Sequence, residues 1–196
     1  MTHLGSYPRP HMRFRNPKTG TLVEISNDPD WDIAAFEIDV MVPGSYFATL
    51  YSGLSKHPPS ADGLLLARHR SGRVEAVVIL EVKEQAEHIS KAAAQLRETA
   101  KHFCIGTQDQ QLPDDGDRHH QWARHQNLPV SQKDHLVIGV FLSQLASRKV
   151  RTEEVVLLHP HKNLYLLALD TRAPALSYTM KEIWDECVRR FGLPRP

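Results

Sequence analysis

Apolar and polar positions follow one another in distinct patterns along the chain, and these patterns predict a succession of strands and helices. Two nearly continuous apolar runs, residues 63–67 and 74–80, flank a turn at Ser71-Gly72 and predict a β-hairpin whose strands are covered on both faces. In the stretch EHISKAAAQLRETAKHF, apolar residues recur at steps of four and three. This spacing predicts a helix with one apolar stripe directly after the hairpin.

Further patterns predict strands on either side of this unit. A turn at residues 17–20 precedes a short strand at 22–26, and HLVIGVFLS at 135–143 is typical of a buried strand. EEVVLLHPHKNLYLLAL predicts a strand pair that turns at residues 159–163. FEIDVMV at 36–42 alternates with period two and favours a strand, with a helix that begins at Asp28-Pro29 as the alternative.

Two more helices are predicted. Apolar residues at helical spacing favour a helix over a strand in SYFATLYSGLSK at 45–56. The C-terminal helix is bounded by clear signals, because Thr179 and Glu182 match a capping box and Gly192 follows the last apolar position.

The ends and the middle of the chain suggest its organisation. Residues 1–20 are rich in Pro and Arg and predict an extended N-terminal arm. Residues 21–196 then form a single α/β domain with a central mixed sheet flanked by helices. A polar stretch at about 105–131 with few aliphatic residues predicts a loop insertion, with no more than a short helix around Trp122.

Composition narrows the function classes. Twenty-four basic and 23 acidic residues leave a net charge of +1, so any contact with nucleic acid depends on a local patch or on a partner. No segment reaches the ~20 apolar residues of a membrane helix, and the N-terminus lacks the apolar core of a secretory signal. The two cysteines, Cys104 and Cys187, end apolar helical patterns and suit buried thiols in a cytoplasmic protein.

The hairpin predicts a cluster of charges at one end. If Ser71-Gly72 forms the turn, the numbers of paired residues sum to a constant, and Asp62 lies opposite Glu81. Facing residues of an antiparallel pair share a face of the sheet, and Lys83, two residues beyond Glu81, shares it too. Two carboxylates this close repel each other unless a positive charge lies between them. Lys83 or a divalent cation such as Mg²⁺ meets that need, and a plain salt bridge is the structural alternative.

An Asp that opens one strand, a Glu-x-Lys that closes the next and a helix that follows resemble the core of the PD-(D/E)XK nucleases, which have the restriction-endonuclease-like fold. The resemblance covers residues 60–104 and the strand at 135–142. It implies a Mg²⁺- or Mn²⁺-dependent phosphodiesterase, an endonuclease that hydrolyses DNA, with RNA as the other candidate substrate. A homodimer or a protein partner would supply part of the grip on the substrate.

The resemblance also implies roles for individual residues. Asp62, Glu81 and the main-chain carbonyl of Val82 are the implied metal ligands. Lys83 is the implied catalytic lysine, which orients the attacking hydroxide and meets the charge that develops on phosphorus. Gln95 matches a glutamine that some members carry in the following helix, whereas Thr99 stands where those members have a tyrosine.

Several alternatives stay open. Glu37 or Asp39 is a candidate for a further acidic residue of the site. A second function from another class is a catalytically inactive core of the same fold that serves as a structural or binding subunit of a larger assembly. The histidines at 118–125 and 159–161 favour solvated loops over a zinc site, because no cysteine accompanies them.

Overall fold

The structure, a computed structural model of the chain, describes residues 12–15, 22–26, 28–38, 59–83, 89–104, 135–143, 154–159, 162–170 and 175–196. The predicted helix at 45–56 and the predicted loop at 105–131 lie outside these ranges. Asp39 also lies outside them, and so do the side chains of Glu37 and Lys83.

The described strands form two sheets. The large sheet has six strands, in the spatial order β3, β4, β5, β6, β8, β7. The neighbours β3, β4 and β5 are antiparallel, β6 is parallel to both β5 and β8, and β7 is antiparallel to β8. The strands are β3 (Trp31–Glu37), β4 (Gly63–His69), β5 (Glu75–Lys83), β6 (Leu136–Ser143), β7 (Glu154–His159) and β8 (Lys162–Asp170). The domain is therefore α/β with a mixed central sheet, as predicted.

The small sheet has three strands, of which only one was predicted. Strand β2 (Leu22–Ser26) lies between β1 (Met12–Arg15), which is antiparallel to it, and β9 (Ala175–Thr179), which is parallel to it. Part of the predicted N-terminal arm is thus extended, and it is also paired into a sheet. Because β2 and β9 are about 150 residues apart in sequence, no local pattern indicates this pairing.

Two helices are described, α1 (Ile89–Cys104) and α2 (Met180–Phe191). The predicted capping box of α2 is confirmed: the Thr179 hydroxyl accepts from the Glu182 N–H, and the Glu182 carboxylate accepts from the Thr179 N–H. Gly192 ends the helix at φ 65°, a left-handed conformation that glycine adopts without steric cost. Neither described helix is long and apolar enough to span a membrane.

The helices lie on opposite faces of the large sheet, because its central strands are apolar on both sides. Helix α1 packs through Leu96 on a core that includes Ile79 and Phe141. Helix α2 packs through Trp184 on the other face, in a core that also contains Val78. Within β5, odd-numbered residues therefore face α1 and even-numbered residues face α2. This parity decides which side of the sheet each charged strand residue occupies.

The N-terminal boundary of β3 differs from its prediction. The strand preference is correct at Phe36 and Glu37, and the alternative helix from Asp28-Pro29 is wrong. The strand begins at Trp31 rather than at residue 36 and ends at Glu37, and residues 39–42 of the predicted strand lie outside the described ranges. The reason is burial on both faces. Ala35 belongs to the core on the α2 side, and Phe36 belongs to the core on the α1 side. A strand covered on both sides does not alternate between apolar and polar residues, so its first half had no period-two signal.

Candidate functional site

The β4–β5 hairpin has the predicted register. Gly63 pairs with Leu80, and each further pair down to Arg68 with Glu75 keeps the same sum of residue numbers. The loop itself is wider than predicted, because the ladder closes with a bond of 2.9 Å from the His69 N–H to the Val74 carbonyl. It gains one residue on each side, and this symmetrical change leaves the register intact. The observed ladder ends at Gly63 and Leu80, and the predicted pair of Asp62 and Glu81 is the next position of the same register.

Asp62 bonds to β5 at the open end of the hairpin, through both its backbone and its side chain. Its main-chain N–H donates to the Leu80 carbonyl at 3.0 Å, and its carboxylate oxygen Oδ2 accepts from the Val82 N–H at 2.7 Å. The carboxylate thus takes the place of the backbone carbonyl that would otherwise receive the Val82 N–H in the ladder. Because this N–H belongs to the peptide group shared with Glu81, the Asp62 carboxylate lies directly beside the Glu81 backbone.

Glu81 is a fully buried carboxylate on the α1 side of the sheet. It is 0% exposed, and its lateral neighbour on β6 is Phe141, which belongs to the α1-side core. Asp62 is only partly buried. Charged side chains are almost never fully buried unless a partner compensates them. The pair therefore combines a partly buried carboxylate with a fully buried one.

The other predicted site residues differ in how much of them is described. The Val82 N–H points towards Asp62, and the N–H and C=O of one strand residue face the same neighbour, so the Val82 carbonyl opens to the same side. Lys83 is the last residue of β5 and follows Val82 directly. Glu37 is the last residue of β3 and pairs with Gly63, so its backbone lies one position from Asp62.

Two side chains of helix α1 form hydrogen bonds with the backbone just before Asp62. The Gln95 side-chain nitrogen donates to the Ser60 carbonyl at 2.7 Å, and the Thr99 hydroxyl accepts from the Ala61 N–H at 2.9 Å. Gln95 is thus brought to the predicted end of the hairpin. The role of Thr99 was missed in the sequence, although its position four residues after Gln95 places both on one side of the helix.

The close approach of α1 depends on Gly139 in β6. A Cβ atom at Gly139 would lie 2.8 Å from Leu166 Cδ2 and 3.3 Å from Leu96 Cδ1. Leu96 of α1 therefore rests almost directly on the backbone of β6. Gln95 and Thr99 lie close to Leu96 on the same helix. The contact of Leu96 with β6 therefore determines how far their side chains lie from the sheet.

Basic residues of the hairpin lie at the opposite end, as expected from the register. Arg70 is exposed, and its Nε atom lies 3.6 Å from a carboxylate oxygen of Asp32. Within the described ranges, no group of three or more His, Cys, Asp and Glu residues is arranged to hold a metal ion. A cation at Asp62 and Glu81 would thus take its remaining ligands from main-chain, water or substrate oxygens, as Mg²⁺ commonly does.

No protein-family model, curated protein or solved structure matches this chain.

Proposed function

We propose that this protein is a divalent-metal-dependent phosphodiesterase, an endonuclease that hydrolyses DNA. Asp62, Glu81 and the main-chain carbonyl of Val82 hold Mg²⁺ or Mn²⁺, and Lys83 is the catalytic lysine. The observation that carries the proposal is the hydrogen bond between the Asp62 carboxylate and the Val82 N–H. It brings the carboxylate that precedes one central strand to the Glu-x-Lys segment that ends the next.

The order of elements supports the finer fold that the sequence resemblance implies. Three antiparallel strands, β3 to β5, are followed by α1 and then by β6, which is parallel to β5. An Asp at the start of β4, a Glu-x-Lys at the end of β5 and a helix over the same face are the features of the restriction-endonuclease-like core named above. We therefore include that core in the proposal.

The residues fit a hard divalent cation. Carboxylate and main-chain oxygens are the ligands that Mg²⁺ prefers, and two carboxylates with few other protein ligands suit a site that also receives substrate phosphate. The metal would supply a bound water of lowered pKa and a positive charge for the phosphate oxygens. Full burial of Glu81 strengthens its attraction for a cation, because water screens the charge less there than at the surface.

The chain's own residues have separate tasks in hydrolysis of the P–O bond. The Val82 N–H fixes the orientation of the Asp62 carboxylate, as hydrogen bonds to metal ligands commonly do. Asp62 is the more exposed of the two acids, so the substrate phosphate approaches from its side. Lys83 presents a positive charge to the phosphate as negative charge builds on its oxygens. Because the net charge is only +1, a second copy or a protein partner adds to the grip on DNA.

A second candidate function is favoured by the same two residues. The Asp62 carboxylate already serves as a cap for a backbone N–H, and Glu81 is completely buried. Both features stabilise a strand end without any reaction. Under this alternative, the chain is a catalytically inactive core that binds or supports other subunits of a nucleic-acid-processing or defence complex.

Calorimetric titration with Mn²⁺ distinguishes the two functions. The full chain is titrated beside the Asp62→Asn variant, and both are then incubated with duplex DNA, single-stranded DNA and RNA, with and without a chelator. We expect Mn²⁺ binding and cleavage of DNA by the wild type only, with cleavage lost in chelator. Absence of both Mn²⁺ binding and cleavage in a folded wild-type protein would refute the enzyme and favour the inactive core.

A further inference from the structure

Within three residues before β4, the backbone changes from bonding to helix α1 to bonding to the sheet. The Ser60 carbonyl and the Ala61 N–H are bound by side chains of α1, whereas the Asp62 N–H is bound by the Leu80 carbonyl of β5. Asp62 is therefore the first residue whose backbone bonds to the sheet. Its side-chain direction depends on where the two preceding peptide groups are held.

Both hydrogen bonds from α1 are short, and the bond between Thr99 and Ala61 is shielded from water. Thr99 is 0% exposed, and Ser60 and Ala61 are also buried. A hydrogen bond in such surroundings is costly to lose, because the remaining backbone group would be left without water as a substitute. The donor and acceptor roles are also complementary, since Gln95 binds a carbonyl and Thr99 binds an N–H. Together they fix both the position and the rotation of the segment.

The helix is itself held in place at this point. Leu96 packs on the β6 backbone at Gly139, and Ala92 and Ala100 are buried on the same stripe. The residues that bind Ser60 and Ala61 thus stand on an element docked to the same sheet that carries Glu81. Because the distance between α1 and the sheet is fixed, the position of the Asp62 carboxylate is fixed too.

We propose that Gln95 and Thr99 are positioning residues, which aim the Asp62 carboxylate at Val82 by holding Ser60 and Ala61. Gln95 then acts through the backbone rather than by contact with substrate, and Thr99 has equal importance. The geometric part of this inference stands without any reaction. Its consequence for metal affinity rests on the proposed function.

The Val82 amide proton reports on the geometry in the protein without metal. Its NMR signal and hydrogen exchange are measured in the wild type, in Thr99→Val, which keeps the shape but removes the hydroxyl, and in Gln95→Met, which removes the donor. Asp62→Ala gives the signal expected when the carboxylate is absent. We expect both α1 variants to move the Val82 signal towards that of Asp62→Ala and to speed its exchange about tenfold.

Two controls separate positioning from loss of stability. Thr99→Ser keeps a hydroxyl and should restore the wild-type Val82 signal. Thr179→Ala removes the cap of α2, which costs a similar amount of stability on the other face of the sheet, and should leave Val82 unchanged. An unchanged Val82 signal in a folded Thr99→Val or Gln95→Met protein would overturn the inference, and so would an equal shift in Thr179→Ala. If Thr99→Val does not fold, Gln95→Met decides alone.

Mn²⁺ titration of the same variants tests the consequence for the site. Loss of an outer-shell hydrogen bond typically weakens metal affinity 10–100-fold, so we expect a loss of about that size in Thr99→Val and near-wild-type affinity in Thr99→Ser. A shifted Val82 signal together with no Mn²⁺ binding by the wild type would keep the positioning inference and refute the proposed function. Mn²⁺ binding with an unmoved Val82 signal would do the reverse.

Discussion

The carboxylate of Asp62 accepts a hydrogen bond of 2.7 Å from the main-chain N–H of Val82. This bond joins the residue before β4 to the end of β5, at the point where the backbone ladder stops because Ala61 has turned towards α1. A bond to an ionised acceptor is roughly twice as strong as one between neutral groups. One side chain therefore both completes the sheet and forms half of the candidate metal site.

Substitutions of Glu81 and Lys83 should have different effects on binding and on turnover. Glu81→Gln removes a charged ligand, and we expect Mn²⁺ affinity to fall by at least about 100-fold, the upper end of the range for outer-shell losses. Lys83→Ala leaves the carboxylates in place, so Mn²⁺ binds nearly as in the wild type while the cleavage rate falls by about 10²–10³. Calorimetry and single-turnover cleavage of duplex DNA measure the two effects.

Asp185→Asn and Lys181→Ala are the matched controls for these variants, because both residues are exposed on α2 on the opposite face of the sheet. Both should bind Mn²⁺ and cleave DNA like the wild type. Equal cleavage by wild type, Glu81→Gln and Lys83→Ala would place the activity outside this site.

Gly139→Val should destabilise the domain by pushing α1 away from the sheet. Already a Cβ at this position would lie 2.8 Å from Leu166 Cδ2 and 3.3 Å from Leu96 Cδ1, and overfilling of a packed core costs about 1–3 kcal/mol. Urea unfolding measures the loss. Ala94→Val adds two methyl groups on the exposed side of α1 and should cost only the lower helix propensity of valine relative to alanine. Equal losses in the two variants would contradict the close packing at Gly139.

Cys187 should be unreactive in the folded protein. Burial raises the pKa of its thiol to about 12, with a further rise from the nearby Glu186 carboxylate and a smaller opposing effect of Arg190. The reactive thiolate is therefore scarce at pH 8. In a Cys104→Ser background, a thiol reagent should modify Cys187 only when urea unfolds the domain. Native-state labelling at the rate of an unfolded thiol would show that the packing of α2 on the sheet does not bury Cys187.

Glu186 should make the stability of the domain depend on pH in the acid range. Hydrogen bonds from Arg189, and then from Arg190, lower the pKa of its carboxyl from 4.5 to about 2. A lowered folded-state pKa stabilises the protein above the unfolded pKa, and this contribution is lost as pH falls from about 4.5 to about 2. Because Arg189 is 65% exposed, solvent screening limits the contribution to about 1 kcal/mol.

Urea unfolding of the wild type and of Glu186→Gln at several pH values measures this contribution. The difference in unfolding free energy between the two proteins should be constant above pH 5, shrink below pH 4.5 and vanish near pH 2. A difference that persists below pH 2 would mean that packing of the side chain, not its charge, is responsible.

The local elements followed from the sequence because their signals are local. The apolar stripe of α1 and the capping box at Thr179 involve residues within one or a few turns, and both were predicted correctly. The register of the hairpin also followed, since a single turn determines every pair along two strands. The observed pairs from Gly63 with Leu80 to Arg68 with Glu75 confirm this arithmetic, whereas the pairing of Asp62 with Glu81 stays a prediction.

Only the tertiary structure decided the rest. The pairing of β2 with β9 joins segments about 150 residues apart. Closing so long a loop costs chain entropy, and no pattern within either segment indicates that the two pair. The first half of β3 was hidden for another reason, because burial on both faces removes the alternation that marks a strand. The hydrogen bond between Thr99 and Ala61 depends on the distance between α1 and the sheet. That distance is set by Gly139, on a strand 40 residues further along the chain. Local sequence thus determined which residues reach the end of the hairpin, and the packing of a helix on a distant strand decided how they are held there.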